Sequence, residues 1–381
     1  MSWEAKGLDE LGYVSRGRSR HRPRDAAHLY GGPHPFVQTG DVKHAGLYLT
    51  EYIQTYSEDG LAQSRMWPAG TLCITIAANI ADTAILGFDA CFPDSVIGFI
   101  PDDKKADARF IKYLFDALLQ RKYKQFAQGA AQDNLSQSKL LSLKFPIPGI
   151  SEQKQIADVL TAYDDLIENN RRRIQLLEQA ARLLYKEWFV HLRFPGHEHT
   201  QIIDGVPEGW ERQSLGEFAT ILKGKNITKE TIEEGDVPVV AGGLKPAYYH
   251  NAANASGPVI TVSASGANAG HVALYHQDVW ASDCSYLSSS DNSEIWFLYL
   301  SMKYCQAEIT GMQQGAAQPH VYPKHLKRLG LLLPSRNLRD LFKETVEVCF
   351  LQIANLEKQT EKLAKARDLL LPKLMNGEMV V

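Results

Sequence analysis

Along residues 151–190, apolar side chains recur at steps of four and three. Ile156, Leu160, Tyr163, Ile167, Asn170, Ile174, Leu177, Ala181, Leu184 and Trp188 follow that rhythm without interruption. It is the 3.5-residue seam of a coiled coil, with one polar member, Asn170. A helix of this length spans roughly 60 Å, more than a small domain needs. A second seam begins near residue 338: Phe342, Val346, Cys349, Ile353, Leu356, Thr360, Leu363, Arg367, Leu370 and Leu374. Thr360 and Arg367 are poor core residues, and Ala366 is expected to share their place. Pro372 is expected to end or kink this helix, with Gly377 near its terminus. Two matched seams in one chain are expected to pair. A parallel pair would crowd both intervening domains at one end, so an antiparallel pair is expected, with Asn170 fixing the register.

Outside these helices the pattern shortens. Residues 1–105 and 205–292 carry β-rich apolar runs, such as 71–76 and 259–262, broken by Gly and Pro. Helices are expected at about 106–128 and 293–314. A GAAQ turn and short strands at 143–147 and 329–333 follow in each half. The fold class is α+β: two globular domains alternating with two long helices, arranged as a pseudo-twofold internal repeat. The expected segments are 1–150, 151–192, 193–335 (opening on a Gly- and Pro-rich linker, 193–210) and 336–381.

The repeat is read from the residues. GAAQ occurs at 129–132 and 315–318, an offset of 186. The same offset pairs Tyr113 with Tyr299, Gln120 with Gln306, Leu143 with Leu329, Pro148 with Pro334, Ile167 with Ile353 and Asn169 with Asn355. Earlier segments match at larger offsets. Trp3 and Glu4 answer Trp210 and Glu211, and Ser15-Arg16-Gly17-Arg18 answers Leu222-Lys223-Gly224-Lys225. The first half therefore carries about 21 extra residues in its loops, read from the fall in offset between residues 3/210 and 129/315. Shared helices with divergent loops suggest one frame carrying two reading heads.

Composition narrows the class. The 381 residues have 44% hydrophobic and 22% charged content and a net charge of −3. That fits two or more ordinary soluble domains and excludes a generic polycation. Five cysteines, none in a CxxC pair, and no 18-residue apolar stretch lead to the expectation of a cytoplasmic protein with reduced thiols. There is no GxxxxGK[ST] phosphate loop, no HExxH, no GxSxG and no [DNS]PP[YF] methyltransferase motif. His197-Glu198-His199 lacks companion metal ligands and reads as a polar turn. Asp94, Asp103 and Lys105 weakly resemble a metal-dependent nuclease pattern, at a spacing that chance also produces.

Positive charge is local. Arg16, Arg18, Arg20, Arg22 and Arg24, with His21 among them, fall within nine residues. In an extended strand all five arginines would share one face, and their repulsion points to an anionic partner; a solvated basic loop is the alternative. The second half offers Lys223, Lys225 and Asn226 at the matching place. Polar, small-residue loops surround these runs: Gln38, Thr39, Asp41 and Asn79 in the first half; Gly243, Ser263, Ser265 and Asn268 in the second. Gln132 and Asn134, and Gln318 and His320, follow the repeated turn. Gly and Ser allow close backbone approach, and Gln, Asn and Ser can bond base edges or phosphates, although each could equally serve a turn.

The segments IPGISEQKQIADVLTAYDDLIENNRRRIQLLEQAARLLYKEWF (147–189), GYVSRGRSRHRPRD and PFVQTGDV (within 12–42), VPEGWERQSLGEF (206–218) and the ending LLLPKLMNGEMVV together resemble the specificity subunits of type I restriction–modification systems. The resemblance covers essentially the whole chain. The second helix opens on Ser335-Arg336-Asn337-Leu338-Arg339-Asp340 in place of SEQKQIA, a departure from the pattern. The resemblance implies two target-recognition domains, each reading half of a split, asymmetric DNA site, on an antiparallel helical spacer. It implies docking of two modification (methyltransferase) subunits and of restriction/translocase subunits. It implies no catalytic site in this chain, with S-adenosylmethionine, ATP and Mg expected only on the partners. The competing reading from the residues is a stand-alone site-specific DNA endonuclease.

Overall fold

The computed structural model describes residues 3–77, 80–126, 135–315 and 319–379, and of 119–126 the backbone alone. Two compact units form, one from residues 1–171 and 358–381, the other from 172–357. Each therefore contains part of both long helices.

In the first unit, strand Glu4–Lys6 pairs antiparallel with Phe145–Ile147. A five-stranded sheet follows in the order Gly12–Arg16, Val96–Pro101, Leu72–Thr75, Thr83–Leu86, Tyr48–Leu49. A second sheet runs Gln54–Tyr56, Tyr30–Phe36, Ala90–Cys91, Met66–Trp67. The second unit repeats this plan in shorter form. Glu211–Ser214 pairs with Gly330–Leu333. Its main sheet runs Leu222–Lys223, Cys284–Ser288, Val259–Ser263, Val272–Tyr275, and its second sheet Tyr248–His250, Val237–Val240, Trp280–Ala281. The second sheets share a parallel pair, Phe36 with Cys91 and Val240 with Ala281. Strands Tyr48–Leu49 and Met66–Trp67 have no counterpart among the described strands of the second unit, which locates part of the extra length of the first half. The central strands are buried on both faces and read as continuous apolar runs, VITV and LCIT.

The central helix runs Ile150–Tyr185 and closes with a wider π-helical turn, Lys186–Val190. The C-terminal helix runs Arg336–Met375. In the first unit, the start of the central helix packs with the end of the C-terminal one: Ile156, Ala157 and Leu160 share a core with Leu374 and Met375. In the second, the end of the central helix meets the start of the other: Tyr185, Trp188 and Phe189 share a core with Phe342, Val346 and Ile353. The pairing is antiparallel in each. Ile156, Leu160, Ile167, Asn170, Ile353 and Leu356 are buried, and Tyr163, Ile174, Leu177, Leu184, Leu363 and Leu370 are half-buried.

Phe189 stands edge-on to Phe342 at 4.7 Å, and Trp296 stacks on Phe350 at 4.5 Å. Gln153, from the SEQKQIA stretch, is fully buried and ties the helix start to the first domain. Its Nε2 donates to the Lys105 and Pro148 carbonyls, each at 2.9 Å, and its Oε1 accepts from the Asp107 amide. The residue 186 positions later is Arg339, which pairs at 3.0 Å with Glu294 and lies over the Phe218 ring. The two helix starts thus use different chemistry at one position.

Several expectations are corrected. Pro372 does not end the helix, which continues to Met375. The helix stops three residues after it, and Gly377 adopts φ +74 as the left-handed cap expected near the terminus. The helix expected at 293–314 is two, Ile295–Tyr304 and Gln306–Gly311. The linker at 193–210 is not featureless: it contains the Ile202–Ile203/Val206–Pro207 hairpin, and Phe194 and Trp210 are buried against each other. The GAAQ turns lie wholly or mostly outside the described residues.

Candidate nucleic-acid interface

The five arginines do not form one strand. Only Arg16 lies in a strand, Gly12–Arg16. Extended alternation continues to Arg20, with Gly17 and Ser19 buried and Arg18 and Arg20 exposed. A cis Arg22–Pro23 bond and a turn then redirect the chain, because proline fixes φ and removes a donor. All five arginines remain exposed. Arg16 Nε donates to the Asp94 carbonyl at 2.7 Å, and Arg24 pairs with the Asp94 carboxylate at 2.9 Å. One acidic residue therefore offsets part of the repulsion. Arg22 donates to the Ser19 and His21 carbonyls.

Nor is this a loose basic loop. Arg18 N donates to the Phe92 carbonyl, and the Arg18 carbonyl accepts from Ser64 Oγ at 2.8 Å. The amides of Arg20 and His21 both donate to Gln63 Oε1. The loop is fastened through its backbone, and its cationic side chains stay in solvent.

The second unit builds the same exit with lysines. Gly17 N bonds the carbonyl of Val96, first residue of the neighbouring strand; Gly224 N bonds that of Cys284, first residue of the equivalent strand. Arg18 N then bonds Phe92 O, and Lys225 N bonds Ala281 O. A Cβ at Gly17 would stand 2.3 Å from the Phe92 carbonyl oxygen, and one at Gly224 2.1 Å from that of Ser282. Both positions require glycine for close backbone approach. Lys223, Lys225 and Asn226 are exposed, and the Lys225 carbonyl is held by Trp280 Nε1 at 2.8 Å.

The polar loops divide by role. Gln38 precedes the helix Thr39–His44, and Asp41 accepts from its amide at 2.8 Å, so Asp41 is a helix cap. Thr39 is half-buried, and Gln38 is exposed and joined to Gln54. Ser263 is buried and donates to the Gly242 carbonyl at 3.0 Å, and Asn268 reaches the same oxygen. Ser265 donates to the Asp283 carboxylate. His320 bridges to Ser265 and stacks on Tyr322. Ser263, Ser265, Asn268 and His320 thus come together, beside exposed Gly243. Asn79, Gln132, Asn134 and Gln318 lie outside the described residues.

Sequence reasoning passed over Arg65. Its guanidinium lies 4.3 Å from the Trp67 ring and 4.9 Å from the Tyr13 ring, and donates to Tyr13 Oη at 2.6 Å. A hydrogen bond with Ser15, and then this one from Arg65, pull the Tyr13 phenol below its ordinary value. An R-x-W step after a helix offered no periodic signal.

The nuclease reading has no geometry. Asp94 precedes and Asp103 follows the six-residue strand Val96–Pro101, so they stand at opposite ends of roughly 20 Å of extended chain. Lys105 pairs with Asp102. Among the described residues no cluster of three or more His, Cys, Asp or Glu could hold a metal, and no helix is long and apolar enough to cross a membrane.

The chain is a tandem α+β repeat in which each copy sends a cationic loop from its main sheet at a closely packed glycine. Residues 2–179 and 207–338 match the type I restriction modification DNA specificity domain, and the chain belongs to that family. It is 25% identical to the type I restriction enzyme MjaIX specificity subunit of Methanocaldococcus jannaschii, over all of this chain and 94% of that one. It is 24% identical to the HindI specificity subunit of Haemophilus influenzae, over 62% of this chain and 69% of that one. The crystal structure of the type I restriction–modification S subunit from M. genitalium superposes with a TM-score of 0.64 at 18% identity, covering 98% of this chain and 96% of that one. The fold is that of a specificity subunit.

Proposed function

We propose that the chain reads a bipartite, asymmetric sequence in double-stranded DNA, one half-site per repeated unit. The observation that carries this is the equivalence of the two cationic loops, which leave matching strands at Gly17 and Gly224 through matching backbone bonds. Arginine forks in the first unit and lysines in the second neutralise phosphates, and the polar loops beside them supply base-edge donors and acceptors. Half-site centres about one helical turn apart, on the order of 10 bp, suit two heads on one face of DNA.

The chain itself is non-catalytic in this reading. Two modification subunits bind the outer faces of the paired helices, and restriction/translocase subunits join them. S-adenosylmethionine, ATP and Mg belong to those partners, and DNA as ligand implies a cytoplasmic protein. The test is the complex of this chain with its modification subunits, binding duplexes of varied sequence. A bipartite motif is expected. Replacing Arg18, Arg20 and Arg22 by Gln should lower affinity and make its salt dependence shallower, by about one unit of slope for each phosphate no longer neutralised. Unchanged affinity and slope would favour a helical adaptor with no nucleic-acid role.

A further inference from the structure

We propose that Arg65 reads a base edge in the first half-site, presenting its guanidinium to the O6 and N7 acceptors of a guanine. This rests on the DNA reading above and names a determinant within it. Arg65 is half-buried, yet no carboxylate pairs with it among the described residues, and its bond to Tyr13 Oη uses one of five N–H donors. A guanidinium in that state has donors to satisfy.

Its plane is fixed from two sides. Trp67 is fully buried and stacks on Phe92 at 4.8 Å, making a rigid floor for the cation, and Tyr13 supplies the second ring. Stacking orients a planar fork and reduces the entropy lost when it engages a matching pair of acceptors. A mobile phosphate-seeking side chain has no use for such bracing. Guanine is the base that offers two acceptors to one arginine fork in the major groove.

Position supports the same assignment. Arg65 follows Gln63 and Ser64, the positioning residues that fasten the backbone of the arginine loop at Arg18, Arg20 and His21. Arg65 therefore leaves the segment that anchors the arginine loop, and its partner Tyr13 also feels the charge of Arg18. Arg65 itself lies between helix Glu58–Ala62 and strand Met66–Trp67, and that strand has no counterpart among the described strands of the second unit's sheets. An element peculiar to one head suits a determinant of one half-site.

The test uses the assembled complex of this chain with its modification subunits. Affinity and methylation are measured on duplexes in which every base pair of both half-sites is varied in turn. Arg65→Ala and Arg65→Lys should each relax discrimination at a single G·C pair of the first half-site, by on the order of tenfold or more. The second half-site should be unchanged. The lysine variant keeps the charge, so it remains informative if the alanine variant folds poorly. Retained discrimination at every position would overturn the proposal. So would an equal loss on all sequences with a shallower salt dependence, which marks a phosphate contact. Relaxation at many positions together with a lowered Tm in both variants would assign Arg65 a structural role instead. If the unaltered complex shows no bipartite preference, the DNA reading fails first and this inference with it.

Discussion

In the first unit, the Arg367 guanidinium of the C-terminal helix donates to the Asp164 carboxylate of the central helix. Tyr113 Oη donates to the other carboxylate oxygen at 2.6 Å. Burial, then the neighbouring Asp164, raises the Tyr113 phenol well above its ordinary value. Arg367 occupies a seam position that its sequence makes look defective. The defect is filled by a counter-ion on the partner helix.

Arg367→Leu should therefore destabilise the protein by about 2–4 kcal/mol, because it strands a carboxylate that is only 12% exposed. Asp164→Leu should cost a similar amount. A double-mutant cycle followed by urea denaturation should return a coupling of about 1–3 kcal/mol. Additive losses would remove the pair from the account of helix pairing.

Gly17→Ala and Gly224→Ala each push a Cβ into a carbonyl oxygen that belongs to rigid backbone. Each should cost about 1–3 kcal/mol. In the assembled complex each should impair recognition of one half-site and spare the other. Loss of both half-sites from either change would contradict the assignment of one site per unit.

Asn170 is 5% exposed in an otherwise mostly apolar seam. Asn170→Leu should raise stability by roughly 1 kcal/mol, since a polar seam residue trades stability for register. Methylation-sensitive sequencing of cells carrying the variant should show whether the spacer of the recognised motif is blurred. A lowered Tm would mean that Asn170 has partners worth more than apolar burial.

Glu357 and Glu178 face each other where the helices pair in the second unit, near Arg182 and Lys303. Desolvation beside the paired helix, then Glu178, pushes the Glu357 carboxyl up to about 7, although the residue as a whole is exposed. The folded protein thus holds this proton more tightly than the unfolded chain. No penalty is present below the ordinary value of 4.5; it grows as pH rises through 7 and is complete above. Glu357→Gln should raise Tm at pH 8 and change it little at pH 4.5. Equal effects at both pH values would disconnect the gain from titration.

The heptad steps of both long helices, their common 186-residue offset and the paired R-G-R and K-G-K runs were all legible in the residues. Periodicity and repetition are local or self-similar properties, and a chain displays them without being folded. The same holds for Gly377, whose left-handed cap follows from having no Cβ.

Other features depended on contacts between distant residues. That Arg367 belongs in a seam needed Asp164, 203 positions away. That Asp41 caps a helix, while Arg18 and Arg20 stay in solvent, needed the local turn and the staples from Gln63 and Ser64. Arg65 carries no pattern at all; only folding sets it between Tyr13 and Trp67. The sequence by itself determined the frame, because hydrophobic spacing selects helix and strand. Tertiary structure decided which cations are braced, paired or free to meet DNA, because hydrogen bonds, ion pairs and ring stacking act between residues that only the fold brings within a few ångströms.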